Sequence, residues 1–302
     1  MRRITKTMLV LLLLLTFLAP AAAGAETVVT SFYPIWLMAL NLCDGIDGVE
    51  VHNLAAPETG CLHDYQLSAG DMRALAEADV FLVNGAGMEG YLAHVFEALP
   101  DLPVVDASAG VTMLPSLTGE TEHNPHIWLD AGNAVIMVEN LAEGLMTAMP
   151  EHAEAIAANR DACTARLTAL DAELRETLAP VEGRAIITFH EAFPYFAQAY
   201  GLEVAAVIAK EPGDALSPRE LAELIGTVRS LGGPPLFTEP QYSDTAARTV
   251  AEETGASVWQ LDPCVTGPGE DVPLTYYDEV MRRNAAVLRQ AFGTADEGED
   301  AE

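Results

Sequence analysis

Short runs of β-branched and apolar residues alternate with stretches of helical periodicity along most of the chain. One group of such runs ends at residue 106 and a second group begins at 185. Strands that alternate with helices predict an α/β fold with mostly parallel sheets. The predicted strands are TVVTS (27–31), VEVHNL (49–54), DVFLV (79–83), LPVVD (102–106), AIITF (185–189), EVAAVI (203–208), LFT (236–238) and SVWQL (257–261).

A long helical stretch separates the two groups of strands. Residues 133–149 and 151–178 repeat apolar side chains at the spacing of one helix face, and Pro150 and Pro180 delimit the second helix. The pattern predicts two α/β lobes joined by a long rigid backbone helix. The predicted division is a signal peptide at 1–25, a first lobe at 26–150, a linking helix at 151–180, a second lobe at 181–293 and an acidic disordered tail at 294–302.

The amino terminus has the pattern of a secretory signal peptide. Arg2, Arg3 and Lys6 precede an apolar run, and small residues follow at 21–25. The run of about a dozen residues is shorter than the roughly 20 that a membrane-spanning helix needs, which disfavours an uncleaved anchor. We expect export to the periplasm or another extracytoplasmic space, with no membrane insertion after cleavage. The next cysteine is Cys43, so we expect no lipid anchor.

Composition excludes several classes of partner. The 302 residues include 15 Lys or Arg and 45 Asp or Glu, and the formal net charge is −30. Nucleic acids and anionic membranes both select basic surfaces, so we expect neither as a partner. A hydrophobic content of 50% excludes a disordered chain. The acidic surface attracts cations instead.

Three histidines and two carboxylates stand where an open α/β sheet binds its ligands, at or near the carboxyl ends of strands. His63 follows the second predicted strand, His126 adjoins a proline and His190 ends a strand, while Glu239 and Asp262 each follow a later strand. Three neutral imidazoles and one carboxylate complete a tetrahedral shell for zinc, or part of a shell for manganese. A lone loop histidine is more often a surface residue, and position alone leaves both interpretations open.

Eight short motifs follow one another in order over nearly the whole mature chain. They are TSFYP (30–34), GCLHDYQL (60–67), AD (78–79), NGAGME (84–89), NPHIWLD (124–130), TFHEAFPYF (188–196), FTEPQ (237–241) and LDP (261–263). The ordered set resembles the zinc- and manganese-binding solute-binding proteins of ABC transporters, the cluster A-I family. The resemblance implies two α/β lobes bridged by a long rigid helix, with metal in the cleft between them.

This resemblance also implies a ligand set and a role. It places the ligands at His63, His126, His190 and Asp262, and we expect Glu239 to lie behind a ligand rather than on the metal. The third position is usually His in zinc-type members and Glu in manganese-type members, so His190 favours zinc and leaves manganese as the alternative. The implied role is capture of zinc and its delivery to an ABC permease, by a monomer that is not an enzyme. Some members also act as surface adhesins or metal buffers.

Two features depart from the family pattern. Zinc-type members often carry a long His-rich loop before the second ligand, whereas residues 118–123 are short and contain one histidine. The residue before the first ligand is often Pro, whereas here it is Leu62, next to Cys61. The short loop weakens the case for zinc over manganese.

The cysteines suggest a disulfide. Cys61 lies two residues before His63, and Cys264 lies two residues after Asp262. If the two ligands meet at one metal, a Cys61–Cys264 disulfide beside the site becomes feasible, and export favours disulfides. The alternatives are a Cys43–Cys61 pair or no disulfide.

Two enzyme classes compete with metal transport. GAGMEG (85–90) after a strand, with Asp106 about 20 residues on, fits a dinucleotide fingerprint, but it is not in the first βα unit. His190 and Glu191 begin the H-E-x-x-H motif of an exported zinc hydrolase, but Pro194 stands where the second histidine belongs. A shell of three His and one carboxylate also leaves no position for a catalytic water. We therefore expect no enzyme.

Overall fold

Two four-stranded sheets form the framework of the protein. The computed structural model describes residues 25–62, 65–119, 121–209 and 216–294. All strand pairs within the sheets are parallel, and the strand orders are β2-β1-β3-β4 and β6-β5-β7-β8. The predicted α/β fold is therefore confirmed. The strands are β1 (Glu26–Thr30), β2 (Val49–Asn53), β3 (Val80–Val83), β4 (Val104–Asp106), β5 (Ala185–Thr188), β6 (Glu203–Val207), β7 (Leu236–Thr238) and β8 (Val258–Gln260).

Helices connect successive strands and bridge the two sheets. Helices α2 and α7 begin at capping boxes, in which Ser68 and Ser217 accept hydrogen bonds from the first turn of their helix. In the described part of the chain, no helix has both the length and the apolar character needed to cross a membrane. The helices are α1 (Tyr33–Leu42), α2 (Ala69–Ala76), α3 (Leu92–Ala98), α4 (Ala131–Ala148), α5 (Ala153–Leu178), α6 (Pro194–Ala199), α7 (Pro218–Ser230), α8 (Thr245–Thr254) and α9 (Tyr276–Ala291).

Helix α5 lies between the two sheets in the sequence and packs against both halves of the molecule. Its 26 residues span about 39 Å at 1.5 Å per residue. It packs along α4 and also contacts α1 and α9, which flank different sheets. Its buried residues recur every three or four positions: Ile156, Cys163, Leu167, Leu170, Leu174 and Leu178. One hydrophobic core therefore continues from the first half through α5 into the second.

Hydrogen bonds also join the two halves of the molecule. The indole Nε1 of fully buried Trp128 donates to the carbonyl oxygen of Pro263 at 2.8 Å. The hydroxyl of Tyr277 donates to the carbonyl oxygen of Trp128 at 2.6 Å. The hydroxyl of Tyr33 donates to the carbonyl oxygen of Pro268 at 3.0 Å. Buried bonds of this kind are costly to break, so they hold the halves in one arrangement.

Two predicted segments fall outside the described residues. They are the signal peptide at 1–25, apart from Ala25, and the acidic tail at 294–302, apart from Thr294. The proposed domain boundaries stay predictions, although both sheets and the long helix lie within the ranges expected for them.

Candidate metal centre

Three ligating side chains converge between the two halves of the molecule. The Sγ of Cys61 lies 3.6 Å from Nε2 of His126 and 3.7 Å from Nε2 of His190. The two imidazole Nε2 atoms are 3.2 Å apart. Both histidines are buried, and Cys61 is partly buried. The three donor atoms can therefore surround a single metal ion.

His126 is oriented by the residue two positions before it. The side-chain oxygen of Asn124 accepts from the backbone N–H of His126 at 2.9 Å and from ring Nδ1 at 3.0 Å. The amide group of Asn124 in turn donates to the carbonyl oxygen of Glu191 at 2.7 Å. An amide oxygen only accepts, so Nδ1 of His126 carries the ring proton and Nε2 offers the lone pair.

His190 is oriented by a carboxylate from the neighbouring strand. His190 follows β5 and Glu239 follows β7, and these strands pair in parallel, so their carboxyl ends meet. Nδ1 of His190 donates to Oε1 of Glu239 at 2.5 Å. The other oxygen, Oε2, accepts from the side chain of Gln241 at 2.9 Å. Glu239 thus contacts the back of the ring, and Nε2 again faces the cluster.

The pKa of His190 reflects this environment. Burial acts to lower the pKa of His190, but the charge and hydrogen bonds of Glu239 and Cys61 raise it well above the ordinary value. A metal ion that binds Nε2 must therefore displace a proton, as is usual for histidine ligands.

Of the other two predicted ligands, the structure describes only Asp262. His63 lies outside the described residues. Asp262 follows β8, and its Oδ1 accepts from the backbone N–H of Cys264 at 2.8 Å, while Oδ2 lies 4.0 Å from the guanidinium of Arg283. Among the described residues, the donor cluster contains Cys61, His126 and His190 but not Asp262. The carboxylate of Asp262 is turned to local partners in this conformation.

The proposed Cys61–Cys264 disulfide is not formed in the structure. The four cysteines all belong to the described residues, and no disulfide joins any of them. The sulfur of Cys61 faces the imidazoles of His126 and His190, whereas Cys264 is fully buried in the hydrophobic core. The predicted pairing took account of sequence spacing and not of the direction of the Cys61 side chain.

Cys61 is therefore the member of the cluster that sequence reasoning did not assign to the metal. A signal was present, because Cys61 lies in the same loop as His63 and sulfur is a frequent zinc ligand. The sequence analysis assigned Cys61 to a disulfide instead.

The glycine-rich loop does not offer a phosphate cradle. The carboxylate of Glu89 accepts from the backbone N–H of Asn84 at 2.7 Å and from that of Gly85 at 3.1 Å. A Cβ at Gly85, where φ is +74°, would overlap the side chain of Asp106. The carboxylate of Glu89 thus binds the N–H groups of the loop, and the side chain of Asp106 packs against Gly85.

The residues that begin the hydrolase motif do not form the helix that this motif requires. His190 and Glu191 lie in a turn before α6 rather than on a helix. The carboxylate of Glu191 accepts from the hydroxyl of Ser116 at 2.8 Å and from the N–H of Leu117 at 2.6 Å. These bonds occupy the group that a metalloprotease uses as its general base.

Comparison with known proteins shows the same architecture and identifies the family. The family model described as ZnuA, zinc-uptake complex component A, periplasmic, matches residues 28–291. The chain belongs to the ZnuA family. Members of the ZnuA family are metal-binding solute-binding proteins of ABC transporters.

The relatives of this ZnuA-family chain are named for different metals. It is 32% identical to the iron-binding protein YfeA of Yersinia pestis over 88% of this chain and 86% of that protein. It is 28% identical to the zinc-binding lipoprotein AdcA of Streptococcus pneumoniae over 93% of this chain, but it spans 59% of that longer protein. The solute-binding protein FpvC of Pseudomonas aeruginosa, solved with Mn²⁺, superimposes with a TM-score of 0.79 and 26% identity, covering 89% of this chain and 99% of that one.

Proposed function

We propose that this protein is exported through its signal peptide, captures zinc between its two lobes and delivers it to an ABC permease for import. The observation that carries the proposal is the 3.2 Å approach of Nε2 of His126 to Nε2 of His190. The two rings come from different halves of the chain, and each is held at Nδ1 by a buried acceptor. Paired donors fixed in this way are typical of a metal site.

The choice of zinc over manganese is supported by the chemistry of the donors. Imidazole suits zinc, whereas manganese favours carboxylate, carbonyl and water oxygens. The carboxylate of Glu239 is bound to Nδ1 of His190 rather than turned toward Nε2. His63 and Asp262 remain our proposed further ligands.

The experiment is a metal titration of residues 26–302. The protein is stripped with a chelator and titrated separately with zinc and manganese against a reporter chelator at neutral pH. We expect one tight zinc equivalent that His190→Ala weakens by orders of magnitude. His94→Ala, which removes an exposed histidine of α3, is the matched control and leaves the affinity unchanged.

Each other outcome has a defined meaning. A preference for manganese contradicts zinc but leaves the capture of a transition metal intact. Failure to bind either metal contradicts capture altogether. The transport step is tested in a strain that lacks the gene, where we expect slower uptake of labelled zinc and rescue by the wild-type chain but not by His190→Ala.

A further inference from the structure

We propose that the thiolate of Cys61 is itself a metal ligand, so that the site holds its ion with one sulfur and the Nε2 atoms of His126 and His190. This inference rests on the proposed function, because it specifies the donor set and the class of metal at the same site. It replaces the structural role that the sequence suggested for Cys61.

The separations between the three donors match a tetrahedral shell. Typical distances are about 2.3 Å for Zn–S and about 2.0–2.1 Å for Zn–N. Around a tetrahedral ion these place sulfur about 3.6 Å from each nitrogen and the nitrogens about 3.3–3.4 Å apart. The observed separations from Cys61 Sγ are 3.6 and 3.7 Å, and the nitrogens are 3.2 Å apart. One ion therefore reaches all three donors without a change of conformation.

Cys61 is held in place from the second half of the molecule. The backbone around Cys61 lies beside the hydroxyl of Tyr242, a residue that follows β7. The ring of Tyr242 stacks on Phe189, with centroids 5.3 Å apart, and meets His190 edge to face at 6.2 Å. A ligand from the first half thus lies against a residue that also contacts His190, a ligand from the second half.

The remaining cysteines are placed for packing. Cys43, Cys163 and Cys264 are all buried, and none of them belongs to a ligand cluster among the described residues. Cys61, in contrast, is partly exposed and belongs to the cluster.

The donor set narrows the class of metal. Two neutral imidazoles and one thiolate are soft or borderline donors, which favour zinc and disfavour manganese. Three protein donors leave one tetrahedral position open for a further ligand. A shell of this kind favours zinc by the type of its donors as well as by their number.

Three measurements on wild type, Cys61→Ser and Cys43→Ser test the assignment under reducing conditions. X-ray absorption of the zinc-loaded wild type should show one sulfur at about 2.3 Å. Cobalt loading should give a sulfur-to-metal charge-transfer band. Both signals should disappear in Cys61→Ser and persist in Cys43→Ser. Changes to residues that only orient a ligand typically weaken metal binding by about 10–100-fold. The zinc affinity of Cys61→Ser should fall by at least that much.

The outcomes separate this inference from the proposed function. Zinc bound tightly with only nitrogen and oxygen neighbours would overturn the role of Cys61 and leave metal capture standing. No stoichiometric zinc in the wild type would overturn both. Circular dichroism of the two variants identifies a folding defect. If Cys61→Ser is unfolded, the alkylation rate of Cys61 in the wild type tests the assignment instead. We expect zinc to slow this reaction, and an equal rate with and without zinc would contradict the assignment.

Discussion

Oε1 of Glu239 accepts a hydrogen bond from Nδ1 of His190 at 2.5 Å, and both side chains are almost completely buried. The contact fixes the ring so that Nε2 faces His126 and Cys61. It also makes His190 more basic, since a nearby carboxylate favours the protonated ring. One residue that is not in the donor cluster therefore controls both the direction and the proton affinity of a ligand.

Glu239→Gln should weaken zinc binding and change its pH dependence. At alkaline pH, where His190 is neutral in both proteins, we expect a loss of about 10–100-fold in affinity. Zinc competes with the proton on His190, and the variant lowers the raised pKa of that ring, so zinc loss on acidification should begin at a lower pH. Zinc titrations across a pH series measure both effects.

Glu253→Gln is the control for that series. Glu253 is an exposed residue of α8 whose carboxylate pairs with Arg229, so its removal should leave zinc binding unchanged. Identical pH profiles of wild type and Glu239→Gln would contradict the role assigned to Glu239.

Asn124→Ala should affect both stability and affinity. The change removes the acceptor for Nδ1 of His126 and the donor to the carbonyl of Glu191, and Asn124 is fully buried. We expect a loss of about 1–3 kcal/mol in the free energy of unfolding, together with weaker zinc binding. Urea unfolding of the metal-free protein and zinc titration measure the two effects.

Asn124→Asp tells the two effects apart. The carboxylate keeps an acceptor for His126 but cannot donate to Glu191. Zinc affinity should then recover relative to Asn124→Ala while stability does not. Equal affinity of the two variants would argue against ring orientation by Asn124.

The carboxyl of Glu89 should make the protein less stable as the pH rises. Burial raises its pKa from 4.5 to about 7, in spite of its hydrogen bonds to the backbone of Asn84 and Gly85. The folded state therefore retains a proton that the unfolded state releases between these values. Its contribution to stability is complete below about pH 4.5 and is lost as the pH rises through about 7.

The variant Glu89→Gln should remove this pH dependence. We expect the difference in unfolding free energy between the two proteins to change by about 3 kcal/mol from about pH 4.5 to above pH 7. Urea titrations of the metal-free proteins provide the values. Exposed Glu97→Gln is the control, and a pH-independent difference for Glu89→Gln would contradict the prediction.

The change Leu170→Ala shortens a buried side chain in α5 and should lower the stability of both halves together. Leu170 is fully buried in the core that both halves share, and Leu→Ala changes at such positions cost about 2–5 kcal/mol. We expect one calorimetric transition in wild type and in Leu170→Ala, at a lower temperature in the variant. Thr168→Ala, on the exposed face, should change stability by less than about 0.5 kcal/mol. Two separate transitions would show that the core is not continuous.

Elements whose position follows from periodicity or strand order could be predicted from the sequence. The apolar spacing of α5 identified its buried face, and the parallel sheet brought His190 and Glu239 together, because β5 and β7 are neighbours. Interpretation failed where irregular loops decide the direction of a side chain. Cys61 depends on a loop that the second half of the molecule fixes through Tyr242.

The shared core has a consequence for how a transporter would recognise cargo. In proteins whose lobes are joined by a flexible strand, ligand binding closes the lobes and changes the overall shape. A partner can detect that change of shape. Here the bonds of Trp128 to Pro263 and Tyr277 resist such a swing. We expect X-ray scattering curves of the metal-free and loaded protein to superimpose. A permease that acts with this protein would then have to distinguish the two forms by local differences at the metal site.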